Sequence, residues 1–495
     1  MLRRLRKNLW NTCGEPEDFV RKTKIVITMG PALLEGGKLR GALEIADSVR
    51  LNASHGDLES RLEALREIRR ISDVLGRRIP VLLDLQGPKW RVGALEAPLE
   101  LAVGTVGAFH PVGGGPGTGP GGPAWAVPLP HPELFKGARV GQRWLLDDGN
   151  LEVEVTEARP DLVLARVKVG GLLKARKGVH PIGLDVAFDP LTPKDLVDVK
   201  WGVEHGVDLF AQSFVRRGED VKALCALIAQ AGGDQPVIAK IEHPAALDNL
   251  EGILEASWGV MVARGDLGVE LGVERVPNLQ KRIITCARHA LKPVITATQM
   301  LESMIESPQP TRAEASDVAN AIWDGTDAVM LSAESAVGKY PVEAIKWLSR
   351  IAKDADGHYR PRMGRAEDAV ARRLSSRTDV AVAFAACRTA QEIGARFLVV
   401  FSEGGGSARM VSRLAGDAPV VGVTTDLGNA RRMGVLRGVT CLLLPPAGNA
   451  DDAMVSVEKA LWESFGAAGG DKVVFTLGLP LYQEGSTNTL KVKTL

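Results

Sequence analysis

The sequence predicts a (β/α)8 barrel carrying a small inserted β-domain, with a second α/β domain behind it. Three observations predict it: short apolar runs recur along residues 21–358, amphipathic stretches separate most of them, and the third and fourth runs stand far apart. The runs are Lys24–Met29, Ser48–Asn52, Pro80–Leu85, Val207–Ser213, Pro236–Glu242, Gly259–Arg264, Pro293–Thr298 and Ala328–Ser332. Strands covered by helices should be apolar without alternation, and Ile25 to Ile27 and Val81 to Leu83 are so. Helical periodicity marks Leu58–Leu75, Pro193–Val203, Asp220–Ala231, Val276–Ala290 and Arg312–Trp323.

Residues 21–93 and 187–358 are therefore assigned to the barrel, 94–186 to the insert, 359–495 to the C-terminal domain and 1–20 to an N-terminal segment. Within the insert, Arg143–Val153 is expected to form a hairpin turning at Asp147, Asp148 and Gly149. A tract from Gly113 to Pro123 has the spacing of a phosphate loop, but without a strand before it or a helix after it, a surface loop is the better reading. Tyr359–Ala366 reads as a linker. Beyond it, Phe397–Phe401, Pro419–Val423, Val439–Leu444 and Lys472–Leu477 predict a doubly wound sheet.

Composition excludes several classes. Of 495 residues, 45% are apolar and 24% charged, which excludes a chiefly disordered chain. A net charge of +1 gives no global field for nucleic acid or an anionic membrane. The basic start runs into Asn8, Asn11 and Glu15 with no apolar region behind it, so a secretory signal is not expected. Five scattered cysteines without CxxC spacing suggest neither a disulfide framework nor zinc, and the expected compartment is the reducing cytoplasm.

Barrel chemistry sits at the carboxyl ends of the strands. Those ends carry Arg50 and Asn52, Asp84, Lys240 and Glu242, Arg264 to Asp266, and Thr296 and Thr298. Alternation puts Lys240 with Glu242, Arg50 with Asn52, and Thr296 with Thr298 on shared faces. Glu242 and Asp266 on adjacent strands suit a hard divalent cation, and Lys240 and Arg50 beside them suit a multiply charged anion, which is what phosphoryl transfer requires. Taken singly, each residue is read more readily as a barrel-end salt bridge; their succession at strand ends favours a site.

At these residues the chain resembles pyruvate kinases. The resemblance rests on Ala239–Glu242, Met261–Gly268, Ile295–Met304, Pro310–Glu314 and Asp324–Ser332, supported by Arg50–Asn52, Ser54–Gly56 and Ser213–Arg216. It implies transfer of the phosphoryl group of phosphoenolpyruvate to ADP, giving pyruvate and ATP at the last step of glycolysis. It also implies a mobile lid, an effector-binding C-terminal domain and a homotetramer. By motif, Lys240 and Arg50 act on the transferring phosphoryl group, and Glu242 and Asp266 hold Mg²⁺ or Mn²⁺. Gly265 and Asp266, with Thr298, bind the substrate carboxylate, and Thr298 belongs to the proton route to the enolate. Asn52, Ser54 and Asp84 match monovalent-cation positions; Arg91 and Lys177 match nucleotide contacts.

Several residues depart from the family pattern. Trp258 replaces a small or acidic residue, Ala333 and Ser335 replace Gly and Thr, and His180-Pro181 replaces Asn-Leu in the insert. Leu85, Gln86 and Lys89 alter a block in which K⁺-requiring members carry Glu at the place of Lys89, so this chain is expected to work without K⁺. Ser402–Ser407, between a strand and a helix, reads equally as a structural turn or as a phosphate site, and in the second case the lack of Lys or Arg inside it favours a monophosphate or AMP over a bisphosphate. A metal-dependent phosphoenolpyruvate/pyruvate lyase or aldolase, and a metabolite-sensing pseudoenzyme, are the rival readings.

Overall fold

The computed structural model describes residues 21–115, 122–184, 189–358, 377–416, 418–482 and 487–495. Eight parallel strands close a barrel: β1 (Lys24–Thr28), β2 (Ser48–Asn52), β3 (Val81–Asp84), β4 (Leu209–Gln212), β5 (Val237–Ile241), β6 (Gly259–Ala263), β7 (Val294–Ala297) and β8 (Ala328–Leu331). Each pairs with its neighbours in sequence, β3 pairs with β4 across the insert, and β8 closes on β1.

Alternation along these strands separates two cores. Val26, Leu82, Leu209, Ile238, Met261 and Ile295 fill the barrel interior. Ile25, Val49, Leu83, Phe210, Ile241 and Val329 face outward, packing with residues of the surrounding helices. Inward parity continued to the strand ends sends Arg50, Asn52, Asp84 and Lys240 into the barrel mouth. The helices begin at sequence-encoded caps: Asp57 with Ser60, Thr192 with Asp195 and Thr311 with Glu314 each close a reciprocal capping box.

One expected pairing of faces fails. β7 ends at Ala297, whose side chain points inward, so Thr296 points outward and donates to Thr326 Oγ1 at 2.9 Å. Thr298 lies beyond the strand with φ +68°, where alternation no longer applies.

The insert folds as a six-stranded sheet, with a two-stranded pair from Leu99–Leu101 and Gly171–Leu173. Phe109 packs on Trp125 and Trp144, ring centroids 5.3 and 5.1 Å apart, and Trp90 and Val92 join the same core. The predicted hairpin forms from Arg143–Leu146 and Leu151–Arg159, and its turn holds Asp147 and Asp148 at φ +52° and +54°. Most of the Gly/Pro tract, the 359–366 linker and residues 1–20 lie outside the described residues.

The C-terminal sheet runs in the order Val439–Leu443, Val420–Thr424, Phe397–Phe401, Lys472–Gly478 and Thr487–Thr494. Four strands are parallel. The fifth, an antiparallel edge absent from the sequence reading, is rich in Thr and Lys and lacks an apolar run. Chain order reverses beside Phe401, the topology in which doubly wound sheets bind ligands. Among the described residues no helix is long and apolar enough to cross a membrane.

Candidate active site

Lys240 stands at the centre of the barrel mouth. Its ammonium donates to Ser213 Oγ at 2.7 Å and lies 3.4 Å from both Asp84 Oδ1 and Glu242 Oε2. Burial alone would lower its pKa, but the facing carboxylates of Asp84, Glu242 and Asp266 outweigh it and hold the ammonium above its usual value. Asp84 also binds Arg50: its Oδ2 accepts from Arg50 Nε at 2.7 Å, and Arg50 Nη1 donates to Thr28 Oγ1 at 3.1 Å. Lys240 and Arg50 are thus held by one carboxylate, Asp84, which pairs with Asn52 in the β2–β3 register.

Glu242 is fully buried, and burial pushes its carboxyl upward. Its Oε1 accepts from the Phe214 amide at 2.7 Å, an approach made by the left-handed backbone of Phe214 at φ +54°. Its Oε2, like Asp84 Oδ1, is buried without a hydrogen-bond partner among the described residues. A buried carboxylate oxygen that makes no hydrogen bond, with the negative charge of Asp266 acting on it, fits a hard oxygen-liganded cation.

Asp266 sits in the first turn of the helix Arg264–Leu271. Burial raises its pKa, but Lys89 and Lys240 prevail and hold it below the usual carboxylate range. Lys89 Nζ donates to Asp266 Oδ1 at 2.9 Å and lies 3.4 Å from Asp148 Oδ1 on the insert. The turn before Lys89 needs glycine: Gly87 has φ +67°, and a Cβ there would lie 2.7 Å from Ser213 Cβ.

Thr298 reaches the site by an unusual route. Thr298 and Gln299 both adopt positive φ, +68° and +53°, which typically costs on the order of 1–3 kcal/mol per residue. Arg264, only 6% exposed, donates through Nη2 to the carbonyls of Thr298 and Gln299 at 2.7 and 3.1 Å and through Nη1 to Asp317 at 2.6 Å. Thr298 Oγ1 accepts from the Gly265 amide at 2.8 Å and donates to the Ala297 carbonyl at 2.6 Å.

A cavity of about 440 Å³ opens at the barrel mouth. Arg50, Asn52, Ser54, Asp84, Lys240 and Asp266 line it from the barrel, and Arg91 and Lys177 from the side of the insert. Arg91 Nη1 donates to the Arg176 carbonyl at 3.0 Å, and Lys177 pairs with Asp147 at 2.5 Å. Asn52 Oδ1 accepts from the Ser54 amide at 3.1 Å. Lys89 also borders the cavity, but its ammonium is directed to Asp266 and Asp148.

Ser213, Phe214 and Arg264 were given no role in the sequence reading, although each lies in a motif that carried the resemblance. Their roles depend on backbone direction and on contacts between strands, which a motif does not display. Trp258 also finds its place: it packs against both the barrel interior and the C-terminal core, 5.8 Å under the Arg409 guanidinium.

A second cavity, of about 320 Å³, lies where Ser402–Ser407 meets the barrel segment His289–Lys292. The cations absent from the loop come from elsewhere: Lys292 from the barrel, and Arg377 and Arg409 from the C-terminal domain. Burial, then Arg409, push the Lys292 pKa down to about 8, and its Nζ donates to the Ser257 carbonyl at 2.6 Å.

Comparison with known proteins covers both folded parts. The family model described as pyruvate kinase, barrel domain, matches residues 20–345, and that for the pyruvate kinase alpha/beta domain matches residues 380–493. A pyruvate kinase of Agrobacterium vitis is 42% identical over 477 residues, 95% of this chain and 96% of that protein. One from Geobacillus stearothermophilus is 39% identical over 96% of this chain and 80% of its own length. One from Mycobacterium tuberculosis (strain ATCC 25618 / H37Rv) is 38% identical over 96% of this chain and 98% of its own. Lyases on related barrels usually lack the matched α/β domain, and Lys240, Glu242, Asp266 and Thr298, whose loss would favour a pseudoenzyme, are all present. With the barrel, the α/β domain and near full-length relatives all agreeing, the chain belongs to the pyruvate kinase family.

Proposed function

We propose that this chain transfers the phosphoryl group of phosphoenolpyruvate to ADP, forming pyruvate and ATP in the cytoplasm as a step of glycolysis. The observation that carries this reading is the buried Lys240 ammonium, held between Asp84, Glu242 and Ser213 and bordering a cavity that Arg50 also lines. Lys240 and Arg50 bind the equatorial oxygens of the phosphoryl group and neutralise them as the bond to the enol oxygen breaks and the bond to the ADP β-phosphate oxygen forms. The Gly265 and Asp266 amides and the Thr298 hydroxyl orient the substrate carboxylate. Thr298 Oγ1 passes a proton to the methylene carbon of the enolate from a stronger acid behind it, because an alcohol is too weakly acidic to be the source. Arg91 and Lys177 hold the nucleotide phosphates.

Glu242 and Asp266 hold Mg²⁺ or Mn²⁺, which when bound supplies Lewis-acid stabilisation of developing negative charge. K⁺ is not required, because Lys89 brings its own charge to the barrel mouth. A phosphorylated effector occupies the second cavity, on Ser402–Ser407 with Lys292, Arg377 and Arg409, and the chain assembles as a homotetramer. The deciding experiment is pyruvate release from phosphoenolpyruvate and ADP with and without Mg²⁺. Metal-dependent, ADP-dependent release is expected, and its absence from folded protein overturns the reading. Sedimentation equilibrium tests the tetramer.

A further inference from the structure

Three side chains able to ligate metals meet where the insert closes on the barrel. One ligating atom from each of Asp148, His180 and Asp266 lies within 4.8 Å of the others. His180 is 3% exposed, and its Nε2 is buried with no hydrogen-bond partner among the described residues. Its other nitrogen, Nδ1, lies 3.6 Å from Glu270 Oε1, so a carboxylate stands behind the ring on the side away from Nε2. The gap beside Nε2 depends on Gly178: a Cβ there would lie 3.0 Å from His180 Nε2 and 3.4 Å from Lys89 Cε.

The Lys89 ammonium lies against the two carboxylates of this group, 2.9 Å from Asp266 Oδ1 and 3.4 Å from Asp148 Oδ1, and makes no hydrogen bond to His180 Nε2. Because Asp148 and His180 belong to the insert and Lys89 and Asp266 to the barrel mouth, one cation joins the two bodies. We propose that Asp148, His180 and Asp266 form a cation seat at the lid–barrel seam, that the Lys89 ammonium is its resident occupant and positions the lid, and that a divalent transition-metal ion takes the seat when that ammonium is removed. One imidazole and two carboxylates select Mn²⁺ or Co²⁺ over Mg²⁺. Bringing ligating atoms within 4.8 Å of one another onto bonds of about 2.0–2.2 Å needs a small contraction, which the exposed turn bearing Asp148 permits. The seat is distinct from the Glu242–Asp266 pair, sharing Asp266 alone, and it does not depend on the reaction proposed above.

The test uses the full chain without substrates, loaded with Mn²⁺, and reads nitrogen modulation of the metal's pulsed EPR signal, which reports a coordinated imidazole. The parent and Lys89→Arg are expected to show none, Lys89→Met to show it, and Lys89→Met with His180→Asn to lose it. Modulation already present in the parent, or absent from folded Lys89→Met, overturns the proposal, as does modulation that survives in the double variant. Hydrogen exchange of the 147–150 turn reads the positioning role. It should quicken in Lys89→Met and return to the parent rate in Lys89→Arg, and equal rates in all three reject that role.

Discussion

Arg264 Nη2 donates to the Thr298 carbonyl at 2.7 Å, so a buried guanidinium holds a left-handed threonine at the edge of the barrel mouth. Gln299, also left-handed, gives its carbonyl to the same nitrogen at 3.1 Å. An ammonium at this place cannot serve two carbonyls and Asp317 together in the geometry of the guanidinium fork. Arg264→Lys is therefore expected to cost about 1–3 kcal/mol of stability by leaving buried acceptors unpaired. It should also reduce kcat more than the KM for phosphoenolpyruvate, because Thr298 moves while Lys240 and Arg50, proposed to bind the phosphoryl group, stay. Denaturant melts and steady-state kinetics on the same preparation check both parts.

Lys240→Met should reduce turnover by about 10² to 10³, the usual cost of one preorganised charge at a developing transition state. It also leaves Asp84 and Glu242 facing each other without their shared cation. Removing one partner of such a buried group destabilises by roughly 3–5 kcal/mol. The loss should be smaller at acid pH: the already raised Glu242 carboxyl rises further without Lys240 and accepts a proton there. A folded group with a raised pKa contributes stability below its unfolded pKa and loses it as pH rises through the folded value. Unfolding of parent and variant at pH 5 and pH 8 measures the difference.

Glu242→Gln and Asp266→Asn should each weaken Mn²⁺ binding while leaving the barrel closed, since an amide lacks the anionic charge a hard cation requires. Glu242→Gln has the cleaner interpretation, because Asp266→Asn also releases Lys89. Mn²⁺ titration by EPR with circular dichroism as the fold control tests them, and unchanged affinity in both removes the pair from the metal shell.

Much of this was legible in the sequence, for identifiable reasons. Barrel strands buried on both faces appear as apolar runs, and the inward parity of β5 places Lys240 with Ile238. The shared face expected for Thr296 and Thr298 failed because alternation was extended past Ala297 into a left-handed turn fixed by Arg264, and no local pattern announces that turn. At the second cavity the sequence marked the loop Ser402–Ser407 but not the cations around it. Its loop lacks a cation, and Lys292, Arg377 and Arg409 arrive from three separate stretches of chain. Thr487–Thr494 escaped because an antiparallel edge strand paired on one side needs little apolar content.

Lys292 supplies a pH signature for the second cavity. Its pKa is pushed down to about 8 by burial and by Arg409, from an ordinary value of 10.5. A phosphate seated there raises the pKa, so binding takes up a proton near pH 8 and weakens as pH rises above it. Acylation of Lys292 in the free protein should show a midpoint near pH 8 and slow when AMP or a sugar phosphate is present. Protection that does not depend on pH between 7 and 9 separates anion binding from this lysine.

The last prediction concerns monovalent cations. The Lys89 ammonium does not sit among Asn52, Ser54 and Asp84; it lies against Asp266, with Asp148 beyond. Asp84 meanwhile is committed to Arg50 and Lys240, which leaves its Oδ1 without a hydrogen bond but not without positive charge. A K⁺ ion entering there would meet these cations with Lys89 nearby, and like charges about 4 Å apart repel by on the order of 4 kcal/mol at an effective dielectric of 20. The parent enzyme is therefore expected to turn over at full rate with tetramethylammonium as the only monovalent cation. Lys89→Glu reverses the balance, placing a third carboxylate beside Asp148 and Asp266 where the ammonium had been. That excess of negative charge at the substrate-binding mouth opposes phosphoenolpyruvate until a cation offsets it, so the variant should be slow without K⁺ and recover as K⁺ is added. Initial rates in K⁺-free and NH₄⁺-free buffer at constant ionic strength check both halves: a parent that is silent until K⁺ is restored, or a Lys89→Glu variant indifferent to K⁺, shows that the lysine does not carry this charge.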